Sequence, residues 1–252
     1  LVNACQAIEG EGKITISTSY TPETLTVSIK DTGKGIKKSE INKIFPRING
    51  VINTTISDGN GGWYIGGNFT KVGVYNINNL AHINADNSID LNFKPEPNHQ
   101  VRTLAINGSY LYIGGEFTTV KNLTNNYIAK LDKTNGEPIF WNAFANNIIR
   151  TLTLYEDKII VGGDFTSIGG VGRNRLAALD TTFVQATTWN PNPNASVYKV
   201  YVAGTKLYVG GDFTNISGVT KSRGAGYTLS IFNIDLYDFG RNGTILDFVL
   251  NN

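Results

Sequence analysis

The sequence has few of the features that mark disulfide-linked, membrane-spanning or nucleic-acid-binding proteins. A single cysteine, Cys5, excludes an internal disulfide bond. No apolar run reaches the ~18 residues of a membrane-spanning helix, and no signal-peptide pattern opens the chain. Charged residues form 17% of the chain and the net charge is +2, which excludes a polybasic nucleic-acid-binding arm as its main feature. We therefore expect neither a membrane segment nor a nucleic-acid partner.

Methionine is absent, and so are the motifs of several common enzyme classes. The zero methionine count, together with Leu1 as the first residue, leads us to expect a fragment or an artificial chimera. The sequence contains no Gly-x-Ser-x-Gly, no His-Glu-x-x-His, no Walker loop and no Cys/His cluster. The hydrolase, zinc-enzyme and P-loop chemistries that these motifs carry are therefore not indicated.

Glycine and aromatic residues are abundant instead. Glycine accounts for 28 of the 252 residues, and aromatic residues form 11% of the chain. This composition favours many short strands joined by turns over long solvated helices. The hydrophobic share of 40% is sufficient for a core, and the length fits one large β domain or two smaller ones.

The middle of the chain repeats an eight-residue pattern four times. The first copy reads Trp-Tyr-Ile-Gly-Gly-Asn-Phe-Thr, and each later copy follows after an interval of 48 residues. The copies occupy residues 63–70, 111–118, 159–166 and 207–214. The same interval separates the aromatic residues Phe93, Trp141 and Trp189. A period of about 50 residues is typical of propellers and solenoids.

Within one repeat unit, apolar and polar residues alternate with the period of two that strands have. In the second unit, Asn107-Gly108 predicts a tight turn between the first two strands. The expected strands of this unit cover residues 101–106, 110–117, 127–131 and 138–141. Four strands per unit form the blade of a β-propeller. Residues 53–196 contain three whole units and residues 197–219 half of one, which predicts about three and a half blades.

Two features of the repeat have a structural and a functional interpretation. Because glycine weakens a strand, the glycine pair is expected at a bulge or a close backbone approach. The next position either bonds local backbone at a strand end or lines a cation-binding channel. We favour local bonding, since hard cations need about six converging oxygens. This position is occupied by Asn68, Glu116, Asp164 and Asp212.

The aromatic residues at positions 93, 141 and 189 also have two interpretations. They either pack between blades or form a ring that binds a ligand, and their strict interval favours packing. The repeated strand itself ends in Gly-Gly-[Asp/Glu]-Phe-Thr in three of its four copies and resembles the delta-sixty type β-propeller repeat over about residues 49–219. The resemblance implies a propeller, and it carries no single chemistry. We expect a protein or a ligand as the partner of the propeller.

The two flanks of the repeat region carry a second resemblance. Residues 1–7 look like the N-box helix of the GHKL ATPases, the ATP-binding domains of sensor histidine kinases. Residues 31–36, Asp-Thr-Gly-Lys-Gly-Ile, are similar to the first glycine box of that family, and residues 43–45 resemble its F-box. Residues 220–231 resemble the stretch that closes the ATP lid, and residues 240–250 look like the closing strand.

The resemblance to the GHKL ATPases implies an α/β two-layer domain of the Bergerat type and assigns roles to its residues. Asn3 would bind Mg²⁺ through its side-chain oxygen, and Asp31 would accept a hydrogen bond from the adenine amino group. The backbone at Gly33 and Gly35 would pass close to the nucleotide. The residues that would face the phosphates of ATP are Lys221, Gly224 and Gly226.

The first hypothesis is therefore a mainly β protein in which a small β-propeller, residues 49–219, is inserted into an ATPase domain. Residues 1–48 and 220–252 form that split domain, which would bind ATP and Mg²⁺. Phosphotransfer in signal transduction would need a separate histidine phosphotransfer domain as partner, and the ATPase part favours a cytoplasmic location. The alternative is a non-enzymatic propeller module for binding or scaffolding, whose kinase-like flanks hold the ends of the ring.

Overall fold

The computed structural model describes residues 14–21, 24–31, 46–141, 143–182, 185–230, 233–238 and 243–246. Every regular element in these ranges is a β-strand. The chain divides into two compact units, residues 1–46 and residues 47–252. No helical stretch of the described residues has the length and hydropathy of a membrane span. The expected β architecture is confirmed, whereas the expected α/β two-layer domain is wrong for the described residues because they contain no helix.

The described part of the N-terminal unit is a β-hairpin. Strands β1 (Ile14–Thr21) and β2 (Thr24–Asp31) pair antiparallel over eight residues each. Alternating sequence on both sides of residues 21–23 is typical of such a hairpin. The predicted N-box helix lies outside the described residues, as do Asn3, Gly33 and Gly35.

The C-terminal unit contains four consecutive antiparallel sheets, which we call blades one to four. Blade one contains β3 (Ile48–Ser57), β4 (Trp63–Val72), β5 (Tyr75–Asn76) and β6 (Leu80–Ile83). Blade two contains β7 (Val101–Asn107), β8 (Tyr110–Gly115), β11 (Ile128–Asp132) and β12 (Pro138–Ile139). Blade three contains β13 (Ile149–Tyr155), β14 (Lys158–Gly163) and β17 (Leu176–Asp180). Blade four contains β18 (Val197–Ala203), β19 (Lys206–Gly211), β22 (Gly224–Thr228) and β23 (Asn233–Asp238).

Blades two to four each carry a small additional hairpin after the second strand. The hairpins are β9 (Thr119–Val120) with β10 (Leu123–Thr124), β15 (Ser167–Ile168) with β16 (Val171–Gly172), and β20 (Asn215–Ile216) with β21 (Val219–Thr220). In blade one, the end of β4 pairs with β5 in the same way. The blades are joined through their first strands, because β3 contacts β7, β7 contacts β13 and β13 contacts β18.

Blade four has more strands than the sequence analysis expected. Residues 224–228 pair with β19, and residues 233–238 pair with residues 224–228, so that both segments extend the sheet of the fourth repeat. The resemblance to the GHKL ATPases instead predicts that these residues belong to the ATPase part. Among the described residues, no contact of the extent seen between neighbouring blades joins blade four to blade one. The described blades therefore form a row rather than a closed ring.

The repeated aromatic residues pack between blades, as their interval predicted. Phe93 lies in a buried cluster with Leu111 and Ile113 of the next blade. Trp141 belongs to a cluster dominated by blade three, and its ring centre lies 5.2 Å from that of Tyr112. Trp189 packs edge-on against a tyrosine of blade four. Each aromatic residue therefore extends the core of the following blade.

The first glycine of each repeated pair accepts a side chain of the next blade. At Gly114, an added Cβ atom would lie 2.5 Å from Cγ2 of Ile149, and at Gly162 it would lie 2.5 Å from Cγ1 of Val197. Both partner side chains are fully buried. Any larger residue at the glycine position would displace the neighbouring blade, so this glycine sets how closely two blades approach.

The second glycine of each pair lies at a bulge in the first two strands. The pairing shifts by one residue at this point, for example between Ile149 and Thr151 in blade three. A Cβ atom at Gly163 would overlap with the backbone carbonyl oxygen of Ile148. Across the sheet, Arg175 adopts a left-handed backbone with φ 60°, and its carbonyl oxygen accepts a hydrogen bond from the Gly163 amide. The prediction of a bulge with close backbone approach is confirmed.

The second glycine is tested by a pair of substitutions within blade three. We expect Gly163→Ala to lower the free energy of unfolding by about 1–3 kcal/mol, because the clash is with backbone that cannot rotate away. Gly172→Ala is the control, since no atom lies within 4 Å of its added Cβ. We expect the control to stay within about 0.5 kcal/mol of the wild type in urea unfolding. Equal effects of the two substitutions would contradict this explanation.

Candidate functional site

In blades two to four, the acidic residue after the glycine pair is bonded to the first strand of its own blade. In blade three, Arg150 donates from Nε to Oδ1 of Asp164 at 2.9 Å and from Nη2 to Oδ2 at 2.7 Å. This is the two-point geometry that makes a guanidinium–carboxylate pair strong. The equivalent pairs are Arg102–Glu116 in blade two and Tyr198–Asp212 in blade four.

These bonds determine the charge of the acidic residues. Burial raises the pKa of Asp164, but hydrogen bonds from Arg150 and Ser196 and the positive charge of Arg150 outweigh it, so the pKa lies below its ordinary value of 3.8. Burial likewise raises the pKa of Glu116, and bonds that include those of Arg102 bring it below its ordinary value. The expected bonding to local backbone is wrong for these three residues, because their partners are side chains of the first strand. The described residues contain no cluster of three or more His, Cys, Asp or Glu arranged to hold a metal ion.

An asparagine that lies three residues before the first strand of blade two fixes the segment that leads into this blade. Asn98 accepts hydrogen bonds through Oδ1 from the amides of Thr118 and Thr119, at 2.8 and 3.1 Å. Its Nδ2 group also donates to the hydroxyl of Thr118 at 3.0 Å. The equivalent residues, with equivalent bonds, are Asn146 and Asn194. This position was not predicted from the sequence, although the asparagines recur at the visible interval of 48 residues.

An open cleft of about 610 Å³ lies where blade one meets blade two. Asn79 of blade one, which has φ 64°, points across this junction. Tyr127 and Arg175 occupy the equivalent left-handed positions in blades two and three. The short asparagine side chain leaves room that a tyrosine or arginine would take up. The cleft volume falls in the ordinary range for small-molecule sites, about 300–1,000 Å³.

The lining of the cleft is rich in neutral hydrogen-bonding groups. Asn79 is buried and donates from Nδ2 to the carbonyl oxygen of Pro97 at 3.0 Å, which fixes one wall. The ionisable residues on the lining are Glu96 and His99. Three exposed asparagine amides on the lining have no hydrogen-bond partner among the described residues: Asn68, Asn78 and Asn122. Each of these amides offers two donors and one acceptor oxygen to a ligand.

A histidine between two carboxylates in blade one has a different role. Nδ1 of His82 lies 2.9 Å from Asp90 and Nε2 lies 3.2 Å from Asp58, while the ring stacks on Tyr64 at 4.3 Å. Asp58 also accepts hydrogen bonds from the amides of Asn60 and Gly62. Because both ring nitrogens are engaged by carboxylates, His82 fixes the loop between β3 and β4 and has no nitrogen left for a substrate.

The residues assigned to the ATP site lie in different parts of the chain. Asp31 is the last residue of β2 in the N-terminal unit. Gly224 and Gly226 lie in β22, and a Cβ atom at Gly226 would be 3.0 Å from Oδ2 of Asp235. Lys221, just before that strand, is buried. The described surroundings of Gly226 therefore include a carboxylate, which disfavours a phosphate nearby.

Comparisons with known proteins agree with the blade architecture. Residues 157–183 match a family described as "Domain of unknown function (DUF5122) beta-propeller". No curated protein matches the chain. Among solved structures, the chain is similar to the computationally designed Ika8 protein, with a TM-score of 0.57, 9% sequence identity and coverage of 94% of this chain. The chain spans 65% of the length of Ika8, and at this identity the similarity concerns the fold alone.

Two further solved structures are similar to parts of the chain. The computationally designed Ika4 protein has a TM-score of 0.43, 10% identity and coverage of 64% of this chain and 85% of its own. The GH74 enzyme of Niastella koreensis has a TM-score of 0.43, 12% identity and coverage of 77% of this chain and 38% of its own. Neither similarity is high enough to add to the description of the fold.

The interpretation as a histidine-kinase-type ATPase is wrong. The described residues consist of strands and turns, the matching family is a β-propeller, and part of the expected lid forms the third strand of blade four. The assignments of Asn3, Asp31 and the glycines as nucleotide ligands, and of ATP and Mg²⁺ as cofactors, stay predictions from sequence alone. They are not carried into the proposed function.

The Arg150–Asp164 pair makes the free energy of unfolding depend on pH in the acid range. Because the folded-state pKa of Asp164 is lowered, the pair stabilises the fold above pH 3.8 and this stabilisation is lost as the pH falls through the lowered pKa. We expect Asp164→Asn to lower the free energy of unfolding by about 1.5–3 kcal/mol at neutral pH, and the difference from wild type to shrink in acid. Asp157→Asn, which alters an exposed pair with Lys158, should leave the free energy of unfolding close to that of the wild type at every pH. Urea unfolding across the acid range measures both, and a pH-independent difference for Asp164→Asn would contradict the assignment.

Proposed function

We propose that the protein is a non-enzymatic β-propeller binding module whose ligand site is the cleft between blades one and two. The observation that carries the proposal is the side chain of Asn79, which stands where the next two blades have Tyr127 and Arg175. The backbone at the junction of blades one and two is therefore arranged as in the next two blades, while the shorter side chain of Asn79 leaves more space there. Concave sites with a few converging polar groups are the usual places for small ligands.

The lining of the cleft favours a neutral, hydroxyl-rich ligand such as an oligosaccharide. Exposed amides at Asn68, Asn78 and Asn122 supply both donors and acceptors, which match the mixed character of sugar hydroxyl groups. Glu96 and His99 are the ionisable residues on the lining, and Nδ1 of His99 lies 3.4 Å from Oε2 of Glu116. A strongly charged ligand would therefore meet few unpaired opposite charges at this junction.

A binding module also accounts for the chemistry of the remaining polar clusters. His82 uses both ring nitrogens within blade one, and Asp164 is bonded to Arg150. General acid–base catalysis needs a titratable group within hydrogen-bonding reach of a substrate. In the clusters described above, the titratable side chains are bonded to one another, which supports binding rather than turnover.

Ligand binding is tested with three probes, the pentasaccharides of cellulose, amylose and chitin, by saturation-transfer difference NMR. We expect at least one probe to bind the wild type with a Kd on the order of 1 mM and to remain unhydrolysed in the sample. Asn79→Arg should reduce binding at least fivefold, about 1 kcal/mol, because it fills the cleft. The side chain of Arg175 donates to the carbonyl oxygen of Pro193 from the equivalent position, so the variant keeps a donor for this bond.

The matched control for Asn79→Arg is Asn87→Arg. Asn87 is also a left-handed asparagine, with φ 65°, and it lies in an exposed turn outside the cleft. The control should bind the probe as the wild type does. Absence of binding by all three probes, or equal binding by wild type and Asn79→Arg, would overturn the proposed site. Shortening of a probe during the experiment would overturn the non-enzymatic assignment.

A further inference from the structure

A largely apolar cavity of about 290 Å³ lies in blade two, beside the small additional hairpin of that blade. Its walls are formed by β10, by β12 and by the segment that follows β12. None of the described lining residues has an ionisable side chain. The cavity therefore suits an uncharged ligand, because a charged group would lose its hydration there without gaining an opposite charge.

The cavity has room in blade two because a short side chain stands where the next blade has a long one. Asn125 lines the cavity and occupies the position that Arg173 has one repeat later. In blade three, Arg173 donates from Nη1 to the carbonyl oxygen of Gly172 and from Nη2 to that of Thr187, both at 2.8 Å. Thr187 is the equivalent of Ile139 in the cavity wall. The guanidinium of blade three therefore spans the region that stays open in blade two.

Two aromatic residues of the lining distinguish blade two from blade three. Phe140 and Phe144 stand where the next repeat has Thr188 and Asn192. The side chain of Phe140 is 89% exposed, so it lies at the open side of the cavity. Aromatic rings pack well against other rings, in offset or edge-to-face arrangements. The phenylalanines therefore favour a ligand that is itself aromatic.

The third aromatic residue of the lining contributes a hydrogen-bond donor. Trp141 is only 3% exposed, and its Nε1 atom has no hydrogen-bond partner among the described residues. A buried donor that lacks an acceptor is unfavourable. A ligand that brings one acceptor atom to Nε1 removes this cost, so the indole group favours ligands with such an atom.

We infer that this cavity is a second ligand site, which binds an uncharged aromatic molecule of one or two rings with one hydrogen-bond acceptor. The volume is sufficient, since a dry apolar cavity of about 150 Å³ holds benzene. The aromatic residues pack against the ligand rings, and Nε1 of Trp141 donates to the acceptor atom. The inference is independent of the proposed cleft between blades one and two, because the two sites share no described lining residue.

The site is tested with quinoline and indole as probes, by proton–nitrogen correlation NMR of the whole chain. Quinoline is uncharged at neutral pH and carries one acceptor nitrogen, whereas indole has a similar shape and no acceptor nitrogen. The chain contains three tryptophans, and Trp141→Phe identifies the indole N–H signal of Trp141. We expect quinoline to move this signal saturably to higher proton frequency with a Kd on the order of 1 mM. Indole should bind about threefold more weakly or less.

Three variants complete the test. Asn125→Arg should weaken quinoline binding about fivefold or more, because arginine fills the equivalent space in blade three. Phe140→Ala removes an exposed side chain, so it remains informative if Asn125→Arg loses its melting transition, and it should weaken binding about threefold. Val74→Ala is the control, since Val74 is an exposed apolar residue of blade one that does not line the cavity, and it should bind as the wild type does.

Three results would overturn the inference. The first is a Trp141 signal that does not respond to quinoline, as would follow if another segment of the chain filled the cavity. The second is equal affinity for quinoline and indole. The third is equal affinity of Phe140→Ala and the wild type for quinoline.

Discussion

The architecture depends on one contact, in which an aliphatic side chain at the start of a first strand rests on a glycine of the blade before it. The contact needs glycine because any Cβ atom would overlap with the side chain. It recurs at Gly66, Gly114, Gly162 and Gly210, so the distance between blades is set by a residue that has no side chain. The second glycine of each pair allows the bulge in the first two strands of the blade. The two roles together explain why the pair of glycines is repeated.

The polar groups of each blade are arranged around this apolar contact. The acidic position after the glycine pair is bonded to a donor on the first strand, and the asparagine before that strand is bonded to the threonine of the pattern. Because these groups are committed to the fold, functional differences arise where one repeat departs from the others. Asn79 is such a departure, and the proposed ligand site follows from it.

The sequence predicted the first three blades well, but it did not predict how the fourth blade continues after residue 219. The interval of 48 residues and the glycine pair were sufficient to identify the strands and the bulge. The second half of the fourth blade was missed because Gly224 stands where Leu176 stands one repeat earlier, which hid the apolar pattern of the third strand. Glycines in that segment instead resembled a nucleotide lid. The cleft could not be predicted, because the residue types do not show that Asn79 has a left-handed backbone. That backbone conformation sets the direction of the Asn79 side chain.

The contact between a first glycine and the next blade is tested most directly by proton NMR distances between a methyl group and a glycine. In a methyl-labelled sample, it predicts cross-peaks from Cγ methyl protons of the aliphatic residue to the Hα protons of its glycine, at all four pairs that end with Gly210 and Ile245. The last pair is the most informative, because it lies beyond the blades that the repeat pattern identified. Cross-peaks within blades but none between Gly210 and Ile245, or none between blades at all, would contradict the central claim.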